Sequence, residues 1–520
     1  MNQKKIILAI VSGIALTAGF PGIGFSYAAW VAFVFLFYAV RDLSPRQGFT
    51  LGLVAGFVHF ATLLYWLVGT MHIYGYLPLW LSGIIFILLA LYLALYLAVF
   101  SGLVVLFCTG PAVSLIMIPA LWVCLEYLRT FLITGFPWGL LGYTQYNHLH
   151  LIQISDIFGV YGMSFIIVFA NVAIFFSLLY IKGLTWQGKQ IRGRVFTVSI
   201  SLLIAVFVLI WTYGNIRLKS VDKIIADAET ISIAAIQGNI AQSDKWDMEY
   251  RKEIISTYIR LSKQAGLHHP DLIVWPETAT PFYFKYNKEL TEMVLQGIRS
   301  IGTHFIIGSP TVEFTKPQNR YYNSAYLITP VGEIAGRYDK THLVPFGEYV
   351  PLRKWLPFIN QMVVQVGGFK AGKTGHTLKW HQADIGVQIC YEVIFPQLAS
   401  ELAANNSELL INITNDAWFG KTSAPYQHFS MAVFRAVENR RSLVRAANTG
   451  ISGFIDPAGR ILQKSVLFKE DAMVRSMPII RNQISFYTRH GDLLVLLSFI
   501  AIMIVAVVKF KKRGTSCHLN

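Results

Sequence analysis

Long apolar runs constrain the fold of this chain more than any other feature of its sequence. They cover residues 6–20, 23–40, 50–70, 78–107, 112–133, 159–181, 195–213 and 492–509. Most of them approach the roughly 20 residues that an α-helix needs to cross a bilayer. Of the 520 residues only 14% are charged, against about a quarter in soluble domains. The sequence therefore predicts a polytopic membrane protein with about eight transmembrane helices.

The distribution of Lys and Arg between the short loops predicts which way the chain crosses the membrane. The loops near residues 71–77 and 134–158 contain neither residue. The termini and the alternate loops are basic, with Lys4, Lys5, Arg41, Arg46, Lys182, Lys189, Arg192, Arg194, Lys509, Lys511, Lys512 and Arg513. Because basic loops stay in the cytoplasm, both termini are expected there. Residues 214–490 are then expected on the periplasmic face of a cell inner membrane.

This pattern divides the chain into three predicted parts. Residues 1–213 form a transmembrane bundle of about seven helices, residues 214–490 form an extramembrane domain, and residues 491–520 form a last transmembrane helix with a tail. The run at 6–20 is short and follows two lysines, so a signal peptide is the alternative to a first helix. Because further apolar runs follow it, we interpret the run at 6–20 as a first transmembrane helix and not as a signal peptide.

The net charge of +16, from 44 Lys and Arg against 28 Asp and Glu, fits the same membrane pattern. A basic soluble chain would suggest a nucleic acid partner. Here no RNA- or DNA-binding motif occurs, and the basic residues flank apolar runs. Nucleic acid is therefore not expected as a partner.

The four cysteines indicate neither a metal site nor a disulfide framework. Cys108 and Cys124 lie in apolar runs, and Cys517 lies in the polar tail. They form no CxxC pair and have no histidine cluster with ligand spacing, so no metal and no cofactor is predicted. Cys390 stands among polar and charged residues and is the one candidate for chemistry.

Two charged residues interrupt an otherwise apolar run. Glu126 and Arg129 lie three residues apart and therefore share one helix face. Charges in the membrane are usually paired or functional, so an ion pair that fixes helix packing and a role in substrate binding are both open. The following residues 135–138, Gly-Phe-Pro-Trp, are expected to break the helix at the outer interface.

The pattern changes between about residues 220 and 480, where short β-branched runs alternate with helical stretches. The predicted strands are Ile231–Ile236, Leu272–Trp275, Phe305–Gly308, Tyr326–Thr329, Ile385–Ile389, Leu409–Thr414 and Ser452–Ile455, and the predicted helices are 250–265, 287–300 and 426–440. This alternation predicts a layered α/β domain. Residues 341–380 are rich in Gly, Pro and aromatic residues and are expected to form long loops, with apolar parts that act as a lid.

Three candidate catalytic residues follow predicted strands or turns. Glu277 comes directly after Trp275-Pro276, Lys340 lies in a turn-rich segment, and Cys390 ends a buried strand. A thiol that attacks an acyl carbon needs a base and a group that stabilises the oxyanion. We expect Glu277 to be the base, and Lys340 to stabilise the oxyanion and lower the thiol pKa.

Each of these residues alone has an ordinary alternative. A single Cys at a strand end is more often a core residue, and a single Glu or Lys is usually solvated. His428, Arg435 and Arg440 are assigned to an ordinary amphipathic helix without a role in the site.

The three segments together resemble the nitrilase superfamily, whose members use a Glu–Lys–Cys triad in that chain order. Placed between apolar spans, the domain resembles its membrane-embedded branch, the apolipoprotein N-acyltransferase family. The resemblance covers nearly the whole chain. Its motifs are Gly135-Phe136-Pro137-Trp138, Trp275-Pro276-Glu277, His342-Leu343-Val344-Pro345-Phe346-Gly347-Glu348 and Asn415-Asp416-Ala417-Trp418-Phe419-Gly420.

The resemblance implies a helical bundle that carries an αββα sandwich with Glu277, Lys340 and Cys390 as its catalytic residues. It also implies substrate-binding or supporting roles for Glu348, Tyr391, Glu392, Trp246 and Trp418. For Glu392, the alternative is a carboxylate that binds neighbouring backbone N–H groups. For Trp246 and Trp418, the alternative is core packing.

The reaction that the resemblance implies is lipoprotein maturation in two steps with ping-pong kinetics. Cys390 takes an acyl chain from a membrane phospholipid as a thioester, and the N-terminal amine of a diacylglyceryl-cysteine apolipoprotein then accepts that chain. The closest alternative is a membrane-tethered nitrilase or amidase that hydrolyses a small periplasmic amide. A transporter is disfavoured because the spans show no inverted repeat, and the complete triad disfavours a degenerate binding module.

Overall fold

The computed structural model describes residues 2–316, 318–349 and 368–517. Its contacts divide the chain into two compact units. One unit consists of Met1–His72, Tyr76–Arg217 and His490–Asn520, and the other of Ile73–Gly75 and Leu218–Arg489. We call them the helical unit and the sheet unit.

The helical unit contains long apolar helices joined by short turns. Its α-helices are Gln3–Ala18, Ala32–Val40, Pro45–Leu63, Trp66–Gly69, Leu79–Phe107, Pro111–Phe131, Leu149–Ile152, Ser155–Ile181, Leu493–Cys517 and Gly193–Asp227, of which the part from Leu218 onward belongs to the sheet unit. Short 3-10 helices cover Ser26–Trp30 and Leu141–Gln145, a π-helix covers Thr70–Tyr74, and a hairpin joins β1 (Thr185–Trp186) to β2 (Lys189–Gln190). Ser44 begins the helix at Pro45 with a reciprocal bond to Gln47, which satisfies backbone donors at that end.

The described helices give a lower span count than the sequence predicts. Four are long and apolar enough to cross a membrane: Leu79–Phe107, Pro111–Phe131, Ser155–Ile181 and Gly193–Asp227. The pair Pro45–Leu63 and Trp66–Tyr74, bent by 53°, makes a fifth if it is counted as one span. The predicted runs at 23–40 and 492–509 correspond to shorter apolar helices, Ser26–Val40 and Leu493–Lys509. The total of eight is therefore not confirmed.

Glu126 and Arg129 both bind the chain that follows their own helix. Arg129 donates to the carbonyl oxygens of Trp138, at 2.8 Å, and Gly139, at 3.2 Å. Glu126 accepts a hydrogen bond of 2.7 Å from the backbone N–H of Leu141. Both side chains are buried. These contacts fix the turn after the helix and favour the packing role that the sequence leaves open.

The sheet unit is built on two mixed six-stranded sheets. The first sheet has the order β14-β3-β4-β5-β6-β7 and the second β13-β12-β11-β10-β9-β8. The strands are β3 (Thr230–Gln237), β4 (Leu272–Val274), β5 (His304–Glu313), β6 (Arg320–Ile328), β7 (Ile334–Asp339), β8 (Thr377–Lys379), β9 (Asp384–Ile389), β10 (Leu409–Thr414), β11 (Ser442–Ala447), β12 (Gly453–Ile455), β13 (Ile461–Lys464) and β14 (Asp471–Pro478).

Three neighbouring strands are parallel at the centre of each sheet. Strands β3, β4 and β5 pair in parallel in the first sheet, and β9, β10 and β11 in the second. The remaining pairs within both sheets are antiparallel. Because parallel strands end at the same edge of a sheet, residues that follow them are brought together there.

The two sheets pack face to face over one apolar core. β-Branched and aliphatic residues from both contribute to it, among them Ile233, Val274, Ile306, Val387 and Ile411. Helices Arg251–Gly266 and Lys288–Ile301 cover the outer face of the first sheet, and Pro396–Ala404 and Ala424–Asn439 pack against strands of the second. This order of layers is the αββα sandwich.

The structure corrects several local predictions. Strands β7, β8, β11, β13 and β14 were not predicted, and neither was the helix Pro396–Ala404. The assignment of 426–440 to an amphipathic helix is wrong, because Ala424–Asn439 is buried at every position except Tyr426. Within 341–380, Thr377–Lys379 is a strand and not a loop. Within the segment 341–380 that carries the predicted lid, residues 350–367 lie outside the described residues.

Candidate active site

Glu277 lies in the turn that follows β4. The backbone N–H of Trp275 still bonds to Ile306 on β5, at 2.8 Å, before the chain turns away. Gly308 makes this turn possible: a Cβ there would lie 2.4 Å from the carbonyl oxygen of Pro276. The close approach of the two backbones thus explains why glycine stands on a buried strand.

Lys340 and Cys390 also directly follow strands. Lys340 comes after β7, and its backbone N–H donates to the carbonyl of Asn323 at 2.8 Å. Cys390 comes after β9, where the chain enters a 3-10 helix. Its φ of +51° lies in the left-handed region, which L-residues adopt at a cost and which is concentrated at functional sites.

The three predicted catalytic side chains lie together at the ends of the two sheets. Lys340 Nζ is 3.4 Å from Glu277 Oε1 and 3.0 Å from Glu348 Oε1. Asn323 donates to the same oxygen atoms of Glu277 and Glu348, at 2.8 Å each. The charges of the Glu277 carboxylate and the Lys340 ammonium both act on the pKa of the Cys390 thiol. A thiol, a carboxylate and an ammonium group are therefore buried near one another.

Two further backbone contacts hold the two glutamates in place. The N–H of Asn415, which follows β10, donates to Glu277 Oε2 at 3.0 Å. The N–H of Val344 donates to Glu348 Oε2 at 2.8 Å. Both glutamates can therefore remain fixed while a proton moves at the site.

A second lysine lies beside the base. Lys245 ends the short helix Gln242–Lys245 that follows β3, and its Nζ donates to the backbone carbonyl of Glu277 at 2.9 Å. The side chain is buried, with 2% exposed. It was not predicted, although β3 and β4 are adjacent parallel strands, so the residues after them meet at one edge.

The charges determine which group carries the proton at rest. Burial by itself raises the pKa of Glu277, but the ammonium groups of Lys340 and Lys245 hold it below its usual value, so Glu277 is ionised. Burial, and then the Glu277 carboxylate, raise the pKa of Cys390 to about 12. Lys340 opposes this rise without overcoming it. Lys340 thus acts on the thiol pKa in the predicted direction, but burial and the Glu277 carboxylate outweigh it, and the resting group is a neutral thiol.

Lys340 has the opposite shift. Burial alone lowers its pKa, but the carboxylates of Glu348 and Glu277 outweigh this and raise the pKa above the usual value. Lys340 therefore keeps its positive charge throughout the neutral pH range. A fixed buried cation beside the thiol is suited to stabilising an oxyanion.

Glu392 connects the turn of Lys340 with the turn of Cys390. Its Oε1 accepts from the N–H and hydroxyl of Thr341, at 2.6 and 2.7 Å, and from the N–H of His342, at 3.1 Å. Its Oε2 accepts from the N–H of Ile389 at 2.6 Å, and the Tyr338 hydroxyl donates to the carboxylate as well. Its contacts therefore match the alternative that Glu392 is a carboxylate that binds neighbouring backbone N–H groups. Burial raises the pKa of Glu392.

A buried polar network lies on the other side of the nucleophile. His428 Nε2 is 3.2 Å from the carbonyl oxygen of Cys390, and Arg445 Nη2 is 2.9 Å from His428 Nδ1. Since a carbonyl oxygen only accepts, Nε2–H donates to Cys390, while Nδ1 lies near both Arg445 and Asp416 Oδ1, the latter 3.0 Å away. Arg445 also holds Asp416 at 2.8 Å. His428 is thus a neighbour of Cys390 and not a surface residue.

The remaining predicted residues lie in different surroundings. Tyr391 is buried and packs edge-on against Phe395, with ring centroids 5.3 Å apart. Trp246 and Trp418 are 49% and 36% exposed, so the alternative of core packing is wrong for both. Their roles in binding stay predictions.

The fold and the site define a carbon–nitrogen hydrolase unit of the nitrilase type. A family model described as carbon-nitrogen hydrolase matches residues 232–481. A second, described as apolipoprotein N-acyltransferase N-terminal domain, matches residues 12–173.

Curated relatives place the whole chain more narrowly. One from Geobacter metallireducens, named apolipoprotein N-acyltransferase, is 42% identical over 513 residues, which cover 98% of this chain and 96% of the relative. Another of that name, from Methylococcus capsulatus, is 34% identical over 482 residues, covering 91% and 90%. The chain belongs to the apolipoprotein N-acyltransferase family, and the resemblance seen in the sequence is confirmed.

Solved structures resemble the sheet unit more distantly. A carbon-nitrogen hydrolase from Helicobacter pylori G27 is 18% identical and covers 48% of this chain and 89% of its own, with a TM-score of 0.38. At these values no conclusion rests on that likeness.

Proposed function

We propose that this protein N-acylates apolipoproteins, taking an acyl chain from a membrane phospholipid and passing it to an N-terminal diacylglyceryl-cysteine. The observation that carries the proposal is that Glu277, Lys340 and Cys390 are buried near one another in a member of this family. These residues supply a base, a cation and a thiol, which acyl transfer through a thioester requires.

In the first half of the reaction, Cys390 Sγ attacks the ester carbonyl carbon of the phospholipid. Glu277 takes the thiol proton as the S–C bond forms, and Lys340 stabilises the oxyanion. The C–O bond to glycerol then breaks, and Glu277 returns the proton to the leaving oxygen. The products are a thioester on Cys390 and a lysophospholipid.

In the second half, the α-amine of the lipid-modified cysteine attacks the thioester carbonyl carbon. The N–C bond forms, the C–S bond breaks, and Glu277 accepts the proton from the amine. That proton returns to the Cys390 sulfur and restores the resting thiol. The product is a triacylated lipoprotein, and the kinetics are ping-pong because the first product leaves before the amine reacts.

The apolar helices support a place for this reaction at a membrane. Both substrates are anchored in lipid, so the site must lie at a bilayer surface. We extend the proposal to an inner membrane protein with about eight spans. Its extramembrane domain of residues 214–490 faces the periplasm, and both termini lie in the cytoplasm, as the loop charges predict.

The test is the intact mass of the purified full-length protein after incubation with phospholipid vesicles. We expect a mass gain of one acyl chain, which the Cys390→Ala variant does not acquire and the Cys124→Ala control does. No adduct, or an adduct that persists in Cys390→Ala, contradicts the proposal. Amide hydrolysis without an acyl adduct from phospholipid favours the amidase alternative instead.

A further inference from the structure

We infer that Lys245 is a positioning residue that holds the backbone of Glu277 and places a second positive charge beside the base and the thiol. This inference rests on the proposed function for its role in acyl transfer. The triad alone does not account for this buried lysine, whose amine is directed at the turn that carries the base.

The contact between Lys245 and Glu277 follows from the order of the strands in the first sheet. Strands β3 and β4 are parallel neighbours, with Ala235 opposite Val274. Lys245 closes the short helix after β3, and Glu277 lies in the turn after β4. Its Nζ bonds to the Glu277 carbonyl at 2.9 Å, so the lysine fixes the main chain at the base.

The charges of the described residues show why a second cation is needed. Lys340 is shared between the carboxylates of Glu277 and Glu348, at 3.4 and 3.0 Å. One lysine between two carboxylates leaves a net negative charge, which disfavours transfer of negative charge to sulfur in a buried site. Lys245 balances that charge, since it lies at the Glu277 main chain and the charges of Glu277 and Cys390 both act on its pKa.

Of the two buried lysines, Lys245 is the one whose charge changes near neutral pH. Burial lowers the pKa of Lys245 to about 8, while Glu277 and then Cys390 oppose the decrease. Lys340, in contrast, stays protonated through the neutral range. The described groups that face the cluster from neighbouring elements include Asn323, Thr414, Asp416 with Arg445, His428, Glu348, Tyr391 and Glu392.

The experiment measures alkylation of Cys390 by iodoacetamide between pH 6 and pH 9, in the full-length protein. Peptide mass spectrometry identifies the modified residue. The variants are Lys245→Met, which removes the charge, and Lys245→Arg, which keeps it above pH 8. Lys263→Met, at an exposed position on the helix Arg251–Gly266, is the matched control.

We expect Lys245→Met to slow alkylation at pH 7 by about tenfold, as a thiol pKa higher by one unit would. The two profiles should converge above pH 8, where Lys245 of the wild type has lost its charge. Lys245→Arg should preserve the rate at pH 7 and remove the change of slope near pH 8, the pKa of the wild-type lysine. Lys263→Met should match the wild type.

Two outcomes overturn the inference. One is a Lys245→Met profile that overlays the wild type. The other is a folded Lys245→Arg protein in which Cys390 is alkylated as slowly as in Lys245→Met. A positive charge at this position would then not restore the alkylation rate. If Lys245→Met does not fold, the Lys245→Arg profile alone decides. Because iodoacetamide requires no lipid, a failure of phospholipid acylation in the wild type would count against the proposed function and leave this result intact.

Discussion

Lys340 and Glu348 form a buried ion pair of 3.0 Å. The distance from the same ammonium to Glu277 is 3.4 Å. Glu348 therefore takes the shorter hydrogen bond and neutralises part of the lysine charge. Glu277 lies close enough to the Lys340 ammonium for its pKa to be lowered, but Glu348 is the closer partner of Lys340. Glu277 can therefore accept a proton while the Lys340–Glu348 ion pair stays intact.

The first prediction concerns Glu348. In Glu348→Gln the lysine has only Glu277 as its ion-pair partner among the described contacts. The closer Lys340–Glu277 pair that we expect should lower the pKa of Glu277 more than that of the Cys390 thiol, so Glu277 becomes the weaker base of the two. We expect acyl-enzyme formation to slow by about ten- to a hundredfold, which corresponds to one or two pKa units. Intact mass against time measures the rate, and Glu348→Asp is the control that keeps the charge. An unchanged rate in Glu348→Gln would show that the Lys340–Glu348 ion pair has no function in this step.

The second prediction concerns Lys340 itself. Lys340→Ala removes the proposed stabiliser of the oxyanion, and such losses cost about two to three decades in rate. We expect acylation of Cys390 to fall by that factor while binding of phospholipid vesicles is retained. Lys373→Ala, an exposed lysine in the segment before β8, is the control. Near-normal thioester formation in Lys340→Ala would remove this residue from the chemistry.

The third prediction concerns the brace formed by Glu392. Each contact of this carboxylate is with a donor, so an amide in its place must direct an NH2 group at another N–H. An unsatisfied buried donor costs about 1–3 kcal/mol. We expect Glu392→Gln to lower the free energy of unfolding of the sheet unit and to slow acylation. Chemical unfolding of the purified protein measures the first effect, with the partly exposed Glu401→Gln as control. A variant as stable as the control contradicts the role of Glu392 as a brace.

Periodicity in the sequence predicts the layers of the sheet unit but not all of its strands. Apolar β-branched runs such as Leu409–Thr414 lie in the buried centre of a sheet, where composition and structure agree. Strand β7, Ile334–Asp339, lies at a sheet edge and contains Gly, Arg and Asp, which are not typical strand residues. Its pairing depends on β6, which only tertiary structure provides.

Glu277, Lys340 and Cys390 can be proposed from the sequence because each stands in a distinctive local context, whereas Lys245 and Asn323 do not. A single lysine or asparagine in a polar stretch carries no sign of burial, and the partners of both lie far along the chain. For Lys245 the available signal was its place after the strand that neighbours β4. His428 was misassigned because helical spacing alone does not show that a helix is buried on all sides.

The fourth prediction concerns the orientation of the helical unit. The loop charges predict that the tail with Cys517 lies in the cytoplasm. A membrane-impermeant thiol reagent applied to spheroplasts should therefore leave Cys517 unmodified until the membrane is opened. The protein for this test carries Ser at Cys108, Cys124 and Cys390, so that Cys517 is the one thiol. Labelling of intact spheroplasts would reverse the proposed orientation.

The last prediction is the order of the two half-reactions. Cys390 cannot join an amine to an acyl chain without first holding that chain. The acyl-enzyme should therefore form with phospholipid alone, and lysophospholipid should be released before any acceptor is added. Initial rates with both substrates varied should give the parallel lines of a ping-pong mechanism.

Glu277 has to act in both halves, because it takes the thiol proton first and the amine proton later. The carboxylate is ionised, since burial alone would raise its pKa but Lys340 and Lys245 lower it. Protonation of Glu277 should therefore not slow acylation between pH 5 and pH 7, and a decrease should begin only below its usual range. Glu277→Gln keeps the shape of the side chain but removes the base, so both halves should slow.

Single-turnover release of the acyl chain from pre-acylated enzyme separates the second half from the first. A lipopeptide with a free N-terminal amine should discharge the thioester quickly, and its N-acetylated counterpart should not. In Glu277→Gln, acylated over a longer incubation, discharge by the free amine should be slow as well. If the N-acetylated lipopeptide or water alone discharges the thioester as fast as the free amine, the acceptor is not that amine. The protein would then be a hydrolase.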